Sequence, residues 1–287
     1  MLTTPSPIAR TIKFALVVAT LPVGAAGVEI PFHPERGLVE VEVLIDGRIK
    51  GRFGIDTGAD RLYIDDEFAK KHGLSQVGGP PPRQVVGVHG SSAVSWVELR
   101  SLKVGGERLY NLRAAAIDLR ALIKDTSRGF PDGLIGHEVL RRFYVTVDYP
   151  HQLMEMRMEE PEVFSTQKYV SVPFEVNRHF ILVEAVFNDS VKAPMILDYC
   201  ASYTAITSDL AARLGAPAEE GSRSIIESMR LEDKVTSDDV VVIVRDMQNL
   251  KKSAGRTRFD GILGAGFLYR HKITIDYKRN EIHVHQR

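Results

Sequence analysis

Apolar and polar residues alternate with a period of two along much of the chain, which is typical of half-buried β-strands. Residues 38–45 alternate valines and other apolar residues with two glutamates. Asp46 and Gly47 then supply a hairpin-turn signal, and residues 49–55 return as the partner strand. The sequence therefore predicts hairpins of short strands rather than long amphipathic helices.

Helical stretches are few and short. Residues 65–73 begin with acidic residues, end with basic residues and close on a glycine, as a brief capped helix does. Residues 138–143 and 208–215 predict two further short helices. Many short strands with turn signals between them and only brief helices predict an all-β architecture.

The chain contains an internal repeat. Residues from about 30 to about 74 align without a gap with residues 142 positions further on, which places Asp198 opposite Asp56. A second block, residues 132–149, aligns at an offset of 128, so the second copy lacks 14 residues between the two blocks. Two blocks in the same order predict two tandem domains of the same fold.

One stretch of this repeat carries candidate chemistry. A predicted strand runs directly into Asp56, and Thr57 and Gly58 follow at once. A glycine has no Cβ, so the backbone can fold closely around the carboxylate at the end of the strand. The second copy has Asp198, but Tyr199 and Cys200 replace the threonine and the glycine.

The stretch Asp56-Thr57-Gly58-Ala59, followed by the apolar Gly-containing element at residues 133–136 and a short helix, resembles the pepsin and retropepsin clan of aspartic proteases. The tandem copies are most similar to bacterial retropepsin-like proteins with two aspartyl protease domains. The resemblance implies an all-β, bilobal acid-protease fold of two tandem retropepsin-like β-barrel lobes. The implied domains are a first lobe at 28–158, a linker at 159–168 and a second, degenerate lobe at 169–287.

The same resemblance implies the site residues. The catalytic pair would be Asp56 and Asp198, two carboxylates that share one proton and activate a water molecule. The active-site loops that support them would comprise Thr57, Gly58, Ala59, Tyr199 and Cys200. The flap over a bound peptide would include Gly87, Val88, His89 and Gly90.

The second loop leaves alternatives open. The side chain of Tyr199 is too bulky for the place of a threonine, and Cys200 adds a Cβ, so we expect this loop to depart from the geometry of the first. Asp198 is then a working carboxylate, a weak one or a structural turn residue. Cys200 is either a thiol nucleophile or a buried, unreactive thiol, and the second interpretation is favoured because no histidine lies near it in sequence.

Composition excludes several classes of function. The formal net charge of the 287 residues is zero, so there is no basic excess that would indicate nucleic-acid binding. The single cysteine allows no intrachain disulfide, and no Cys/His spacing indicates a zinc site. No metal or organic cofactor is implied.

The N-terminal segment has the pattern of a secretory signal peptide. Arg10 and Lys13 precede an apolar run at residues 14–21, and small residues follow at 25–27, where we expect cleavage. The run is too short to span a bilayer. We therefore expect residues 1–27 to be removed, leaving a secreted or periplasmic protein without a stable membrane anchor.

These observations together predict a secreted aspartic endopeptidase that acts on peptides or unfolded proteins as a monomer. Two alternatives remain open. One is a peptide-binding pseudoprotease that keeps the cleft without efficient catalysis. The other is a homodimer whose catalytic pair consists of Asp56 from two chains.

Overall fold

A computed structural model describes residues 28–32, 38–79, 85–86, 90–122, 129–161, 164, 168–232 and 234–286. The predicted signal peptide at residues 1–27 and the predicted flap residues Gly87, Val88 and His89 lie outside the described residues, as does part of the predicted linker.

The described part of the first half contains twelve strands. They are β1 (Ile30–Pro31), β2 (Glu40–Ile45), β3 (Ile49–Ile55), β4 (Leu62–Asp65), β5 (Gln76–Val77), β6 (Val85–Val86), β7 (Ser91–Ser92), β8 (Ser95–Val104), β9 (Glu107–Ile117), β10 (Gly133–Ile135), β11 (Tyr144–Asp148) and β12 (Leu153–Arg157).

The described part of the second half contains ten strands. They are β13 (Tyr169–Pro173), β14 (Glu175–Asn177), β15 (Phe180–Phe187), β16 (Val191–Leu197), β17 (Thr204–Ile206), β18 (Arg223–Leu231), β19 (Val235–Val244), β20 (Gly261–Leu263), β21 (Lys272–Asp276) and β22 (Glu281–His285).

Each half closes its sheet into a six-stranded barrel with one further strand at the side. The first sheet has the order β2-β3-β10-β4-β9-β8-β5, and β2 pairs back to β8. The second has the order β14-β15-β16-β20-β17-β19-β18, and β15 pairs back to β18. The predicted all-β, two-lobed fold with two β-barrels is therefore confirmed.

Turn chemistry sets the register of the first hairpin in each barrel. Asp46 and Gly47 between β2 and β3 both have positive φ angles, 53° and 73°, as the favoured two-residue hairpin turn requires. Asn188 and Asp189 hold the equivalent turn between β15 and β16, at 46° and 57°. The register turns Val41, Val43, Phe53 and similar side chains into the barrel interior.

A third sheet joins the two halves. Its order is β1-β12-β11-β21-β22-β13, three strands from each half, with β11 and β21 antiparallel at the centre. At the middle of this pair the hydroxyls of Thr146 and Thr274 lie 2.8 Å apart. Equivalent residues thus face each other across a pseudo-two-fold axis that relates the two barrels.

The described α-helices are short. They are α1 (Asp66–Lys71), α2 (His137–Leu140), α3 (Ser208–Arg213), α4 (Gln248–Ala254) and α5 (Ala265–Leu268). None of the helices within the described ranges is long and apolar enough to cross a membrane.

The structure confirms two predicted helices and corrects the third. Helix α1 begins after Asp65, whose carboxylate accepts the Phe68 N–H, and α3 begins after Thr207. The helix predicted at residues 138–143 instead spans His137–Leu140. It ends early because the next residues turn to deliver Tyr144 into β11, with Phe143 N–H donating to the Leu140 carbonyl.

The two halves differ in length between their first helix and the following long hairpin. Lys71 at the end of α1 and Ser95 at the start of β8 are separated by 24 positions, whereas Arg213 and Arg223 are separated by 10. The additional 14 residues of the first half include β6 and β7, which pair as a small antiparallel hairpin. The first half thus has a hairpin that the second half lacks at this place.

Candidate active site

Asp56 and Asp198 occupy equivalent positions at the ends of β3 and β16. The Asp56 N–H donates to the Ile135 carbonyl and the Asp198 N–H to the Leu263 carbonyl, both at 3.0 Å. In each loop one carboxylate oxygen accepts a backbone N–H two residues on, from Gly58 at 2.9 Å in the first loop and from Cys200 at 2.7 Å in the second. Both side chains are thereby held in one orientation.

The two carboxylates converge on one point. A Cβ placed on Gly58 would lie 3.0 Å from Asp198 Oδ2 and 3.3 Å from Asp56 Oδ1. A side chain at residue 58 would therefore press on both carboxylates. Oxygen atoms of both side chains lie within 3.3 Å of this one point, so the two carboxylates are close to each other.

Thr57 connects the two loops. Its hydroxyl donates to the Leu197 carbonyl at 2.8 Å and accepts the Tyr199 N–H at 3.2 Å. The expectation that the second loop departs from the first is therefore wrong for the backbone, which follows the same hydrogen-bond pattern. It is right for the side chain, because Tyr199 does not return the contact that Thr57 makes.

The side chain of Tyr199 is fully buried in the core rather than at the loop contact. Its ring lies 6.2 Å from that of Tyr149, and its hydroxyl has no hydrogen-bond partner among the described residues. Burial raises the pKa of Tyr199 well above its ordinary value, and the nearby Tyr149 and Tyr277 add to this rise. The Tyr199 ring thus occupies space in the core below the loop.

Cys200 packs towards the first barrel. Its Sγ would lie 3.6 Å from a Cβ placed on Gly54, and it joins an apolar cluster that includes Leu134 and Val94. Burial raises the pKa of the Cys200 thiol well above its ordinary value, and the charges of the two aspartates raise it further. The thiol is therefore held in its protonated form, which disfavours it as a nucleophile.

Glycines support both loops from below. A Cβ on Gly136 would lie 2.7 Å from the Ala59 carbonyl oxygen, and one on Gly264 would lie 2.6 Å from the Ala201 carbonyl oxygen. The N–H groups of His137 and Ala265 donate to these two carbonyls at 2.9 Å. The close approach that glycine permits lets the backbone after β10 and β20 fix each loop.

A polar cluster borders the first loop. Asp60 accepts hydrogen bonds from Tyr63 and, at 2.7 Å, from Arg61. From the second lobe, His179 Nε2 donates to the Gly58 carbonyl at 3.0 Å. Sequence reasoning missed this contact, because 121 residues separate the two partners and the turn that contains His179 has no motif.

Burial changes the protonation of the aspartate pair. Burial raises the pKa of Asp198 to about 6. Burial and the negative charge of Asp198 together raise the pKa of Asp56 well above its ordinary value. Two such groups titrate as a coupled pair, so the pair retains one proton to a higher pH than an exposed carboxyl would.

The hairpin β6–β7 lies near this site. Val85 packs in the same apolar cluster as Trp96, and β6 contacts helix α4 of the second lobe. A Cβ on Gly90 would lie 2.3 Å from the Ala121 carbonyl oxygen, so only glycine allows this approach. Of the predicted flap residues, Gly90 is thus placed against the first lobe.

Within the described ranges, no group of three or more His, Cys, Asp or Glu side chains is arranged to hold a metal ion.

The chain was also compared with known proteins. No curated protein matches it. The family model described as aspartyl protease matches residues 41–139, which extend from β2 to α2 and include Asp56-Thr57-Gly58. Over these residues the first lobe is similar to the retropepsin-like aspartyl proteases, a family of peptidases.

Proposed function

We propose that this protein is an aspartic endopeptidase whose catalytic pair is Asp56 and Asp198 of a single chain. The observation that carries the proposal is the convergence of both carboxylates on one point beside Gly58. The family match of the first lobe supports peptidase chemistry, and the matching backbone of the second loop supports a partner carboxylate at residue 198.

The proposed reaction uses a water molecule between the two side chains. The ionised carboxylate accepts a proton from water as the water oxygen bonds to the peptide carbonyl carbon. The protonated carboxyl donates its proton to the carbonyl oxygen, which gives a neutral tetrahedral diol. The C–N bond then breaks as the nitrogen takes a proton from one carboxyl, and the diol returns its proton to the pair.

The electrostatics support one assignment of these roles. Burial raises the pKa of both carboxyls and backbone N–H groups stabilise both ionised forms, but only for Asp56 does the charge of its partner raise the pKa further. Asp56 is then the protonated partner, which polarises the carbonyl. Asp198 is the base, and its backbone donor compensates part of the cost of burying a charge.

Cleavage of an unstructured peptide mixture from acid to neutral pH tests the proposal. We expect the wild-type protein to cut, with a specific activity independent of protein concentration, and both Asp56→Asn and Asp198→Asn to lose activity by at least about 1,000-fold. Asp132→Asn is the control for removing a carboxylate, because Asp132 lies directly before β10, outside the pair, and its side chain accepts the Arg52 N–H.

Two results would contradict the proposal. Activity that survives Asp198→Asn and falls on dilution would indicate a homodimer with Asp56 from two chains. Binding of peptides without turnover at any pH would indicate a pseudoprotease. In the first case the second lobe is a scaffold, and in the second the cleft is retained without the chemistry.

The proposed enzyme acts outside the cytoplasm. The basic start at Arg10 and Lys13 and the apolar run at residues 14–21 support export. Expression of the full chain in a bacterium should give a periplasmic protein with a new N-terminus near residues 25–27, read by mass spectrometry. Val17→Asp/Val18→Asp should block export, and a wild-type cytoplasmic product that retains Met1 would refute this part of the proposal.

A further inference from the structure

Helix α4 and the segment that leads from it to β20 expose several cations. Lys251, Lys252, Arg256 and Arg258, here called the basic rim, are half-buried or exposed. Within the described part of the chain none of these four side chains forms an ion pair or hydrogen bond. Among the described residues, no carboxylate therefore neutralises these four charges.

The equivalent segment of the first lobe differs. There a 3₁₀-helix, Leu119–Ala121, follows β9, and its Arg120 lies 3.0 Å from Glu67 and 3.7 Å from Asp65. Next to the basic rim the nearest carboxylate along the chain, Asp260, is already paired with Arg213 at 2.8 Å. Positive charge is thus compensated beside the first lobe's loop and left uncompensated beside the second.

The basic rim borders the cleft between the lobes. Helix α4 contacts the flap strand β6, and Leu250 packs in the same apolar cluster as Ala201 of the second active-site loop. Thr257 donates to Asn177 at 3.0 Å, two residues before the His179 that contacts the first loop. The segment that carries the basic rim therefore contacts the flap strand and the second active-site loop, and it is bonded to the turn that holds His179.

A cavity opens within this segment. It measures about 480 Å³ and is lined by Lys251 and residues 255–260. Of the lining residues Thr257 and Phe259 are buried, three are cations of the basic rim (Lys251, Arg256 and Arg258), and Asp260 is paired with Arg213. A concave site of this size with an apolar floor and convergent polar groups suits a side chain of a bound peptide.

We propose that the basic rim binds acidic side chains of a peptide in the interlobe cleft, so that the preferred substrates are peptides with Asp or Glu on one side of the scissile bond. Opposite charges across such a partly exposed site favour the acidic peptide over its neutral isostere and weaken as salt increases. This inference names the substrate class of the enzyme proposed above and rests on that proposal for its catalytic consequence.

The test separates binding from catalysis. Fluorescently labelled peptides that differ only in Glu against Gln are titrated against the full chain carrying Asp56→Asn, and their dissociation constants are compared at low and high salt. We expect the Glu peptide to bind about fivefold tighter at low salt and this preference to shrink at high salt. Lys251→Glu/Arg256→Glu in the same background should abolish or reverse the preference.

A matched control reverses two charges elsewhere. Lys103 and Arg108 are exposed, face each other at the turn end of β8 and β9, and lie beside Gly105, which contacts Ile30 of the interlobe sheet. Lys103→Glu/Arg108→Glu changes the net charge by the same amount and should leave the Glu preference intact.

Equal affinities for the two peptides, no binding of either, or an equal loss in both charge-reversal variants would overturn the inference. Binding is measured on an inactive variant, so it does not depend on catalysis. A wild-type protein that prefers the Glu peptide but cleaves no peptide would refute the proposed catalysis and would still support binding of acidic side chains by the basic rim.

Discussion

The two active-site loops share a backbone and differ in what holds them. In the first, Thr57 reaches across to the second loop, and His179 and the Asp60 cluster brace it from outside. In the second, Tyr199 fills the core below and Cys200 packs towards the first barrel. In both loops the position of the carboxylate depends on backbone hydrogen bonds, whereas the side chains that secure the loop differ between the two sides of the axis.

The largest expected effect comes from substituting the third residue of each loop separately. Gly58→Ala should lower kcat/KM by at least about 100-fold, because the added Cβ would stand 3.0 Å from Asp198 Oδ2 and displace water or carboxylate. Cys200→Gly should change kcat/KM by no more than about threefold, since that loop already accommodates a Cβ. Peptide cleavage with active-site titration measures both, and equal losses would contradict the asymmetry.

The second residues of the loops give the next effect. Thr57→Val keeps the shape and leaves the Leu197 carbonyl and the Tyr199 N–H without their partner, so we expect about 2–4 kcal/mol lower stability and about 30-fold lower kcat. Tyr199→Phe removes a hydroxyl that has no partner within the described residues and should be neutral or stabilising by about 1 kcal/mol. Urea unfolding measures both, and a large loss with Tyr199→Phe would show that its hydroxyl matters.

The pH dependence tests the shared proton. Since burial raises the pKa of Asp198 to about 6, this base becomes protonated as the pH falls through 6, and kcat should then fall about tenfold per pH unit. The raised pKa of Asp56 keeps the second proton in place above pH 6, so activity should persist towards neutral pH. A full pH–rate profile measures this, and an acid limb near the ordinary pKa of an aspartate would contradict it.

The smallest expected effect concerns the hydrogen bond that His179 of the second lobe donates to the first loop. His179→Ala removes the donor to the Gly58 carbonyl and should lower kcat about fivefold with little change in KM. His179→Gln, which can restore an N–H donor, should recover part of the loss. An unchanged kcat in the Ala variant would show that Thr57 alone secures the first loop.

Much of this architecture is encoded locally. The alternation at residues 38–45 and the turn at Asp46 and Gly47 predict the first hairpin because its contacts are between neighbours in sequence. The repeat places Asp198 opposite Asp56 because equivalent residues occupy equivalent positions about a pseudo-two-fold axis. Both predictions needed only local sequence patterns and the alignment of the two repeats.

What the sequence does not predict depends on distant packing. The direction of the Tyr199 side chain is set by space beside Tyr149, and the His179 contact joins residues 121 positions apart. Helix α4 also escapes prediction, since only Leu250 and Ala254 give it an apolar face. These features depend on contacts between residues that are far apart in sequence, and such contacts leave no local sequence pattern.

The interlobe sheet has a consequence for biosynthesis. Its central strands, β11 and β21, are separated by 128 positions, so the sheet can form only after β21 and β22 have followed the second barrel out of the ribosome. The first barrel can close while the second is still being translated, because its six closed strands end at Ile135. The nascent chain therefore holds Asp56 without its partner until the strands of the second barrel, which end at Leu263, have also been made. For the proposed enzyme, the order of translation would therefore delay activity until both lobes have been made.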